Sequence, residues 1–210
     1  MDTIYKSDTK RVFLTFDDGP SPVTSKILDI LKQENVKATF FILGSNVDSR
    51  KDVVKRMYEE GHYLANHGYS HTYSKIYSSP QSVLDEYNEC NDKVKNAIEV
   101  PDYNSHLFRF PGGLAGGKYA EIKKEAKELL LQNNIVNVDW NALTGDAETN
   151  NLSVEFEMTR LTETMESKNS LVILMHDAAA KSVTADALPQ IIAKLKEEGY
   201  EFKNFYAIIQ

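Results

Sequence analysis

The sequence predicts an α/β fold, an irregular (β/α) barrel of seven or eight units with its active site at the carboxyl-terminal strand ends. Short apolar runs alternate with amphipathic segments along the chain, a pattern typical of parallel sheets with crossover helices. A length of 210 residues suits one large domain of this kind, and no linker or repeat interrupts residues 1–210, which we expect to form a single domain. An open doubly wound sheet is the alternative.

The predicted strands are short apolar runs, each bounded by polar or turn-forming residues. The last of them lies close to the end of the chain. In chain order the runs are 12–16, 38–43, 62–65, 106–110, 135–140, 171–175 and 205–208.

The predicted helices lie between these runs, where apolar residues recur three or four positions apart. The single cysteine belongs to one such set, which predicts a buried thiol and excludes an intrachain disulfide. The sets are Ile27, Ile30 and Leu31; Val83, Tyr87, Cys90, Val94 and Ala97; Tyr119, Ile122, Ala126 and Leu129; and Leu188, Ile191, Ile192 and Leu195.

The charge and hydropathy of the chain limit its partners. The net charge is −7 and no block of Lys and Arg is present, so we expect neither nucleic acid nor an anionic membrane as a partner. No apolar run approaches the roughly 20 residues that span a bilayer, and no signal-peptide pattern is seen. We expect a monomer.

Polar residues of reactive types follow the predicted strands directly. In a barrel the carboxyl-terminal strand ends meet at one face, where active sites lie. We therefore expect these residues to lie close together: Asp17, Asp18, Asn66, His67, Arg109, Asp146, His176 and Asp177.

The segment ANHGYSH places His67 and His71 four residues apart. On one helical turn this spacing puts both imidazoles on one side, as in zinc sites, although two solvated histidines are the alternative. Two histidines and one carboxylate would leave coordination positions open, the pattern of a catalytic zinc. Mixed nitrogen and oxygen ligands would also accept cobalt, nickel or iron.

Two adjacent carboxylates, Asp17 and Asp18, end the first apolar run. Like charges repel, so a cation or a basic partner must compensate them. Because Gly19-Pro20 ends the strand there, both side chains can reach one site, where one could bind a metal and the other accept a proton. A solvated turn is the alternative reading of Asp-Asp-Gly-Pro.

Two further segments carry candidate residues. His176 after LVILM is either a general acid or a core histidine with a satisfied hydrogen bond. Arg109 in LFRFPGG could hold a carboxylate bidentately, or it is a surface arginine before a turn. Gly112 and Gly113 would let a backbone N–H approach a substrate closely.

Taken together, TFDDGP, KATFFILG, the His-x-x-x-His segment, RFPGG and LMHD resemble, in order, the polysaccharide deacetylases. This is the NodB-homology group, also called carbohydrate esterase family four. The resemblance implies that Asp17 is the catalytic base. It also implies that Asp18, His67 and His71 hold a divalent metal, zinc or cobalt.

The same resemblance implies roles for the residues of the later motifs. Arg109 orients the base, His176 is the general acid, and Leu174 lines a pocket for the acetyl methyl group. The N–H of Gly112 is the expected donor to the oxyanion. Gly112 stands where the family frequently has an aromatic residue, which predicts that one wall of the sugar groove is missing, and Gly68 stands where Ser or Thr is usual.

The Asp-x-x-Asp-Trp motif of the family is matched poorly by VDWNALTGDAE. We align Trp140 with a strand tryptophan that contacts substrate, which makes Asp146 the partner of the acid histidine and puts Ala147 at the position of the motif's Trp. In the other register Asp139 would be that partner.

The expected function is metal-dependent removal of N-acetyl groups from N-acetylglucosamine polysaccharide, either peptidoglycan or a chitin-like chain. Acetyl xylan esterase is an alternative, and a carbohydrate-binding pseudoenzyme is another. The presence of Asp17, Asp18, His67, His71 and His176 disfavours the pseudoenzyme. An extracellular or cell-surface location is implied by the family's substrates alone.

Overall fold

Strand β1 (Arg11–Asp17) is the centre of the sheet in the computed structural model, which describes residues 2–209. All the ladders are parallel, as the alternation of strands and helices predicts. The other strands are β2 (Thr39–Ile42), β3 (Tyr63–Asn66), β4 (Leu107–Phe108), β5 (Val136–Asn137), β6 (Ala142–Leu143), β7 (Ser170–His176) and β8 (Glu201–Lys203).

The sheet curls into a barrel-like shape with the order β5-β4-β3-β2-β1-β7-β6. The C-terminal half of β1 pairs with β2, while β8 pairs with its first three residues. Within residues 2–209, no ladder joins β5 to β6, so the curled sheet is open between them. The predicted irregular (β/α) barrel is confirmed, and the doubly wound alternative is not what forms.

Eight helices surround the sheet in the described part of the chain, and a 3-10 helix lies near each end. No helix among residues 2–209 has the length and apolar character needed to cross a membrane. The helices are α1 (Thr24–Gln33), α2 (Gly44–Val47), α3 (Lys51–Glu59), α4 (Tyr73–Ile76), α5 (Pro80–Ile98), α6 (Ala120–Gln132), α7 (Val154–Met165) and α8 (Ser182–Glu197), and the 3-10 helices are Asp2–Tyr5 and Phe205–Ala207.

Alternation along each strand determines which residues reach the site. In β1, Val12, Leu14 and Phe16 pack in the large core beneath the helices, whereas Phe13 belongs to the cluster inside the curled sheet. Asp17 has the same parity as Phe13, so its side chain continues the inner face at the carboxyl end of β1.

Two expectations about individual elements are wrong. The run 205–208 forms a 3-10 helix, because Phe205 packs against Phe13 at a ring distance of 5.2 Å and against Tyr63 at 6.0 Å instead of pairing in the sheet. The run 135–140 contains strand pairing only in β5, and the two-residue strand β6 follows it. The apolar sets identified α1, α5, α6 and α8, and they did not identify α2, α3, α4 or α7.

The predicted amphipathic helices are present, and their apolar faces are buried. Cys90 on α5 is fully buried, as expected, and its thiol donates to the carbonyl of Ile42 at 3.2 Å. Burial raises the pKa of this thiol well above its ordinary value, so Cys90 is a packing residue and not a nucleophile.

Candidate active site

Asp17 and Asp18 reach the same site because the chain turns sharply after β1. Asp17 is the last residue of the strand and is 2% exposed, and Asp18 has a φ of 73°. A cis peptide bond joins Gly19 to Pro20. The neighbouring carboxylate of Asp177 secures this loop by accepting hydrogen bonds from Ser21 and Thr24.

Arg109 is fully buried and holds one oxygen of Asp17. Its Nη1 donates to Asp17 Oδ1 at 2.7 Å and to the Thr15 hydroxyl at 2.8 Å, while Nε and Nη2 donate to the carbonyls of Val138 and Asp139. The expected bidentate grip on a carboxylate is therefore wrong, because the other nitrogens bind backbone oxygens. Burial raises the pKa of Asp17, and the Arg109 charge opposes that shift without cancelling it.

His67 and His71 lie in the loop between β3 and α4, not on a helical turn, so the predicted local conformation is wrong. The left-handed conformation of His71, with a φ of 52°, helps the loop turn its ring back toward His67, and the ring centroids are 5.4 Å apart. Nδ1 of His67 lies 2.8 Å from the carbonyl oxygen of Arg109. A carbonyl only accepts, so Nδ1 carries the hydrogen and Nε2 presents a lone pair.

The His67–His71 loop is anchored by Glu86 on α5. The buried carboxylate of Glu86 accepts from the N–H groups of Tyr69 and Ser70 at 2.7 and 2.6 Å, and from the Ser70 hydroxyl at 2.6 Å. The sequence reading missed Glu86, and its only signal is a carboxylate on an otherwise apolar face of a predicted helix.

Asp18, His67 and His71 form a cluster that fits a divalent cation. Asp18 Oδ1 lies 3.6 Å from His67 Nε2 and 3.5 Å from His71 Nε2, and the candidate ligand atoms all lie within 4.8 Å of one another. Asp18 Oδ1 is buried, and no residue among 2–209 donates a hydrogen bond to it. Because His67 presents a lone pair to this oxygen, a cation is the group that would satisfy both atoms.

His176 stands beside Asp17, since β1 and β7 pair Asp17 with His176. Its Nδ1 lies 2.7 Å from Asp146 Oδ1, and its backbone N–H donates to Asp146 Oδ2 at 2.7 Å. Burial opposes the charged ring, but the hydrogen bond and charge of Asp146, with further help from Asp17 and Asp18, raise the pKa of His176 to about 9.

Asp146 reaches His176 from the loop after β6, and not from the end of the fifth strand as the sequence reading expected. Burial raises its pKa, but the contacts with His176 outweigh burial and lower the pKa below its ordinary value. Asp139 lies elsewhere: its carboxylate accepts from the N–H of Leu114 at 3.1 Å. Asp146 is thus the carboxylate that contacts the imidazole.

The expected substrate-binding residues lie on neighbouring elements. Leu174 is on the inner face of β7, two residues before His176, and is 8% exposed. Trp140 lies in the link between β5 and β6, so its expected position in a strand is wrong. Gly112 has a φ of 75°, and within residues 2–209 its N–H donates to no other group.

Two titratable side chains of the site, Asp17 and His176, are neighbours with contrasting partners: an arginine holds the first and a carboxylate holds the second. These two side chains lie beside a candidate cation cluster at the strand ends of a barrel, an arrangement that can support proton transfer during hydrolysis. Residues 5–132, more than half of the chain, match the model of the family described as polysaccharide deacetylase. The chain belongs to this family, as its motifs predict.

Curated relatives support the same membership. YheN of Bacillus subtilis, whose name as a polysaccharide deacetylase is provisional, is 38% identical over 200 residues, which are 92% of this chain and 66% of YheN. A peptidoglycan-N-acetylglucosamine deacetylase of Bacillus cereus is 34% identical over 202 residues, which are 95% of this chain and 70% of that enzyme.

A solved structure resembles this chain in both fold and sequence. The CE4 esterase of Streptococcus mutans superposes with a TM-score of 0.88 at 35% identity, covering 97% of this chain and 90% of that chain. The chain therefore has the fold of a carbohydrate esterase of family four.

Proposed function

We propose that this protein is a metal-dependent deacetylase that hydrolyses the N-acetyl groups of an N-acetylglucosamine polysaccharide. The observation that carries the proposal is the pairing of neighbouring residues, Asp17 held by Arg109 and His176 held by Asp146, next to the Asp18 cluster. Peptidoglycan is the preferred substrate in this proposal, because the Bacillus cereus relative carries that substrate in its name. A chitin-like chain is the second choice.

The ligands in this proposal are Asp18, His67 and His71, and the preferred ion is zinc, with cobalt as a substitute. When bound, a divalent ion lowers the pKa of water and polarises the acetyl carbonyl. Asp17 accepts the proton of the attacking water. Its Oδ1 is engaged by Arg109, which orients the carboxylate and leaves Oδ2 for the proton.

His176 protonates the leaving amine in this proposal. Since Nδ1 is held by Asp146, the proton is delivered from Nε2, and with a pKa of about 9 the ring is charged at neutral pH. The N–H of Gly112 donates to the oxyanion. Leu174 and Trp140 contact the acetyl group and the adjoining sugar.

The surroundings of the enzyme follow from its substrate. A polysaccharide of the cell wall would place the protein outside the cell or at its surface. We propose that residues 1–210 act as one catalytic domain and that a monomer suffices, since Asp17, Asp18, Arg109, Asp146 and His176 all come from one chain.

Acetate release from peptidoglycan, chitin oligomers and acetylated xylan, measured in parallel, tests the proposal. We expect release from the two N-acetylated substrates, loss of release with a chelator, and recovery with zinc or cobalt. Asp17→Asn is the inactive control. Acetate release from xylan alone would show that the protein is an O-acetyl esterase. Polysaccharide binding without acetate release would show that it is a pseudoenzyme. Full activity in a sample verified as free of metal would contradict the metal dependence.

A further inference from the structure

The space in front of Gly112 is occupied by the side chain of Tyr73. A Cβ atom built on Gly112 would lie 2.6 Å from the Tyr73 hydroxyl oxygen and 3.3 Å from Cζ of the same ring. Tyr73 is the first residue of α4 and follows His71 by two positions. Because Gly112 has no side chain, one wall of the sugar groove was predicted to be missing. The Tyr73 ring, which comes from another segment, occupies that position.

The ring of Tyr73 is fixed between the cation cluster and the Gly112 loop. It packs edge-on against His71 with the ring centroids 5.6 Å apart, and edge-on against Tyr77 at the same distance. Tyr77 is itself fixed, because its hydroxyl donates to the carbonyl of Pro111 at 2.7 Å. These contacts fix the orientation of the exposed Tyr73 ring, so little side-chain entropy is lost when a ligand packs on it.

Tyr73 nevertheless remains accessible, since 40% of its surface is exposed, one of the largest exposures among the large hydrophobic residues. Within residues 2–209 its hydroxyl makes no hydrogen bond, although it lies close to Gly112. A tyrosine hydroxyl carries one O–H, so this free group can donate a hydrogen bond to a ligand. An exposed, fixed ring with a free donor is the kind of surface on which proteins hold the apolar face of a sugar.

We propose that Tyr73 is a substrate-binding residue that forms the wall of the sugar cleft between His71 and Gly112. Its ring packs on the sugar whose acetyl group is removed, and its hydroxyl donates to that sugar. This inference rests on the proposed function. It assigns to α4 a specificity-determining residue that lies outside the motifs of the sequence.

The test compares Tyr73→Ala and Tyr73→Phe on chitin oligomers and on 4-nitrophenyl acetate, an acetyl ester without a sugar. For Tyr73→Ala we expect KM for the oligomers to rise about tenfold or more, since ring packing and one hydrogen bond are both lost, with a smaller effect on kcat. For Tyr73→Phe we expect a rise of about 2- to 10-fold, the effect of one hydrogen bond. The ester should lose less activity than the oligomers in both variants.

Tyr206→Ala is the matched control, because Tyr206 is also an exposed tyrosine, 46% exposed, but packs on Tyr63 away from the site. The metal content of each variant is also measured. Binding of the oligomers is measured with and without Tyr73→Ala in the inactive Asp17→Asn variant. If Tyr73→Ala loses the same activity on the ester as on the oligomers, or if its metal content falls, then Tyr73 positions His71 and does not bind the sugar. If the wild-type protein releases acetate and Tyr73→Ala keeps its KM, this inference fails while the proposed function stands.

Discussion

Asp146 and Asp18 are both carboxylates beside a histidine near strand ends, but their hydrogen bonding differs. Asp146 accepts from the ring and the backbone of His176 and from the Thr184 hydroxyl, at distances of 2.7, 2.7 and 3.1 Å. Asp18 Oδ1 is buried and accepts no hydrogen bond from the described part of the chain. On the side of the cleft that contains Asp146 and His176, here called the acid side, the chain itself supplies the hydrogen-bond donors. On the side that contains Asp18, here called the cation side, such donors are missing from the described residues.

This difference follows from how each histidine uses Nδ1. His176 gives Nδ1 to a carboxylate, which favours the charged ring, whereas His67 gives Nδ1 to a backbone carbonyl, at 2.8 Å. Burial accordingly lowers the pKa of His67 to about 3, and the Asp18 charge only partly opposes that shift. A neutral ring with a bare Nε2 suits a ligand, and a charged ring suits a proton donor.

The largest effects are expected from the adjacent carboxylates Asp17 and Asp18, which we assign to different tasks. Asp17→Asn should retain the metal and lose about 10²–10⁴-fold in kcat, the usual effect of losing a general base. Asp18→Asn should lose activity because metal occupancy falls. Metal analysis of both purified variants distinguishes the two tasks, and equal metal content would show that the assignment is wrong or reversed.

His176→Ala tests the acid side alone. We expect the metal to be retained and turnover of N-acetyl substrates to fall by about 10²–10⁴-fold, since an amine must be protonated to leave. An activated ester leaves without that proton and should lose much less. Equal losses on both substrates would contradict the role of His176 in protonating the leaving group. A loss of metal would show that His176 is a metal ligand.

Asp146→Asn should act in the same direction with a smaller effect. Removing the negative charge destabilises the imidazolium, so the pKa of His176 falls from about 9 and the alkaline limb of the kcat profile moves to lower pH. Asp139→Asn is the matched control, because the Asp139 carboxylate accepts from the Leu114 N–H and not from His176. If the alkaline limb does not move in Asp146→Asn, or moves in Asp139→Asn, then Asp139 and not Asp146 is the carboxylate partner of His176.

Residues at strand ends could be predicted from the sequence because strand ends have a local signature. An apolar run followed by polar residues identifies Asp17 and His176, and the alternation of runs with amphipathic segments predicts the parallel (β/α) barrel. By contrast, β6 is a two-residue strand and is too short to show any alternation. The loop conformation of His71 was missed for a related reason, since four-residue spacing fits a helical turn and a left-handed loop equally well.

Two residues that support the site, Glu86 and Tyr73, could not be predicted, because their roles depend on contacts between distant segments. Glu86 binds a loop 16 and 17 positions earlier in the chain, and Tyr73 fills a space near Gly112. Neither contact leaves a pattern in the local sequence. The proposed reactive residues and their partners Arg109 and Asp146 could therefore be read from motifs, while the contacts of Glu86 and Tyr73 required the fold.

The smallest effect is expected at Glu157, a third carboxyl behind Asp146. It is fully buried, and its Oε1 shares the Thr184 hydroxyl with Asp146, at 3.2 and 3.1 Å. One hydroxyl hydrogen cannot serve two carboxylates, and Glu157 Oε2 is buried with no hydrogen bond to any residue that the structure describes. Burial, assisted by the Asp146 charge, raises the pKa of Glu157 from 4.5 to about 7. The acid side is thus satisfied by the chain only while Glu157 keeps its proton.

This raised pKa makes the stability of the protein depend on pH in a defined direction. The folded protein holds the Glu157 proton more tightly than the unfolded chain, so stability falls as pH rises from 4.5 and levels off above about 7. Glu157→Gln removes the ionisation and should be more stable than wild type at pH 8 by roughly 1–2 kcal/mol, with little difference at pH 5. Chemical denaturation at both pH values measures this, with exposed Glu155→Gln on the same helix as control. A difference that is the same at both pH values would mean that the pKa of Glu157 is not raised in the folded protein, and that the structure around Asp146 accommodates the ionised carboxylate of Glu157 without cost.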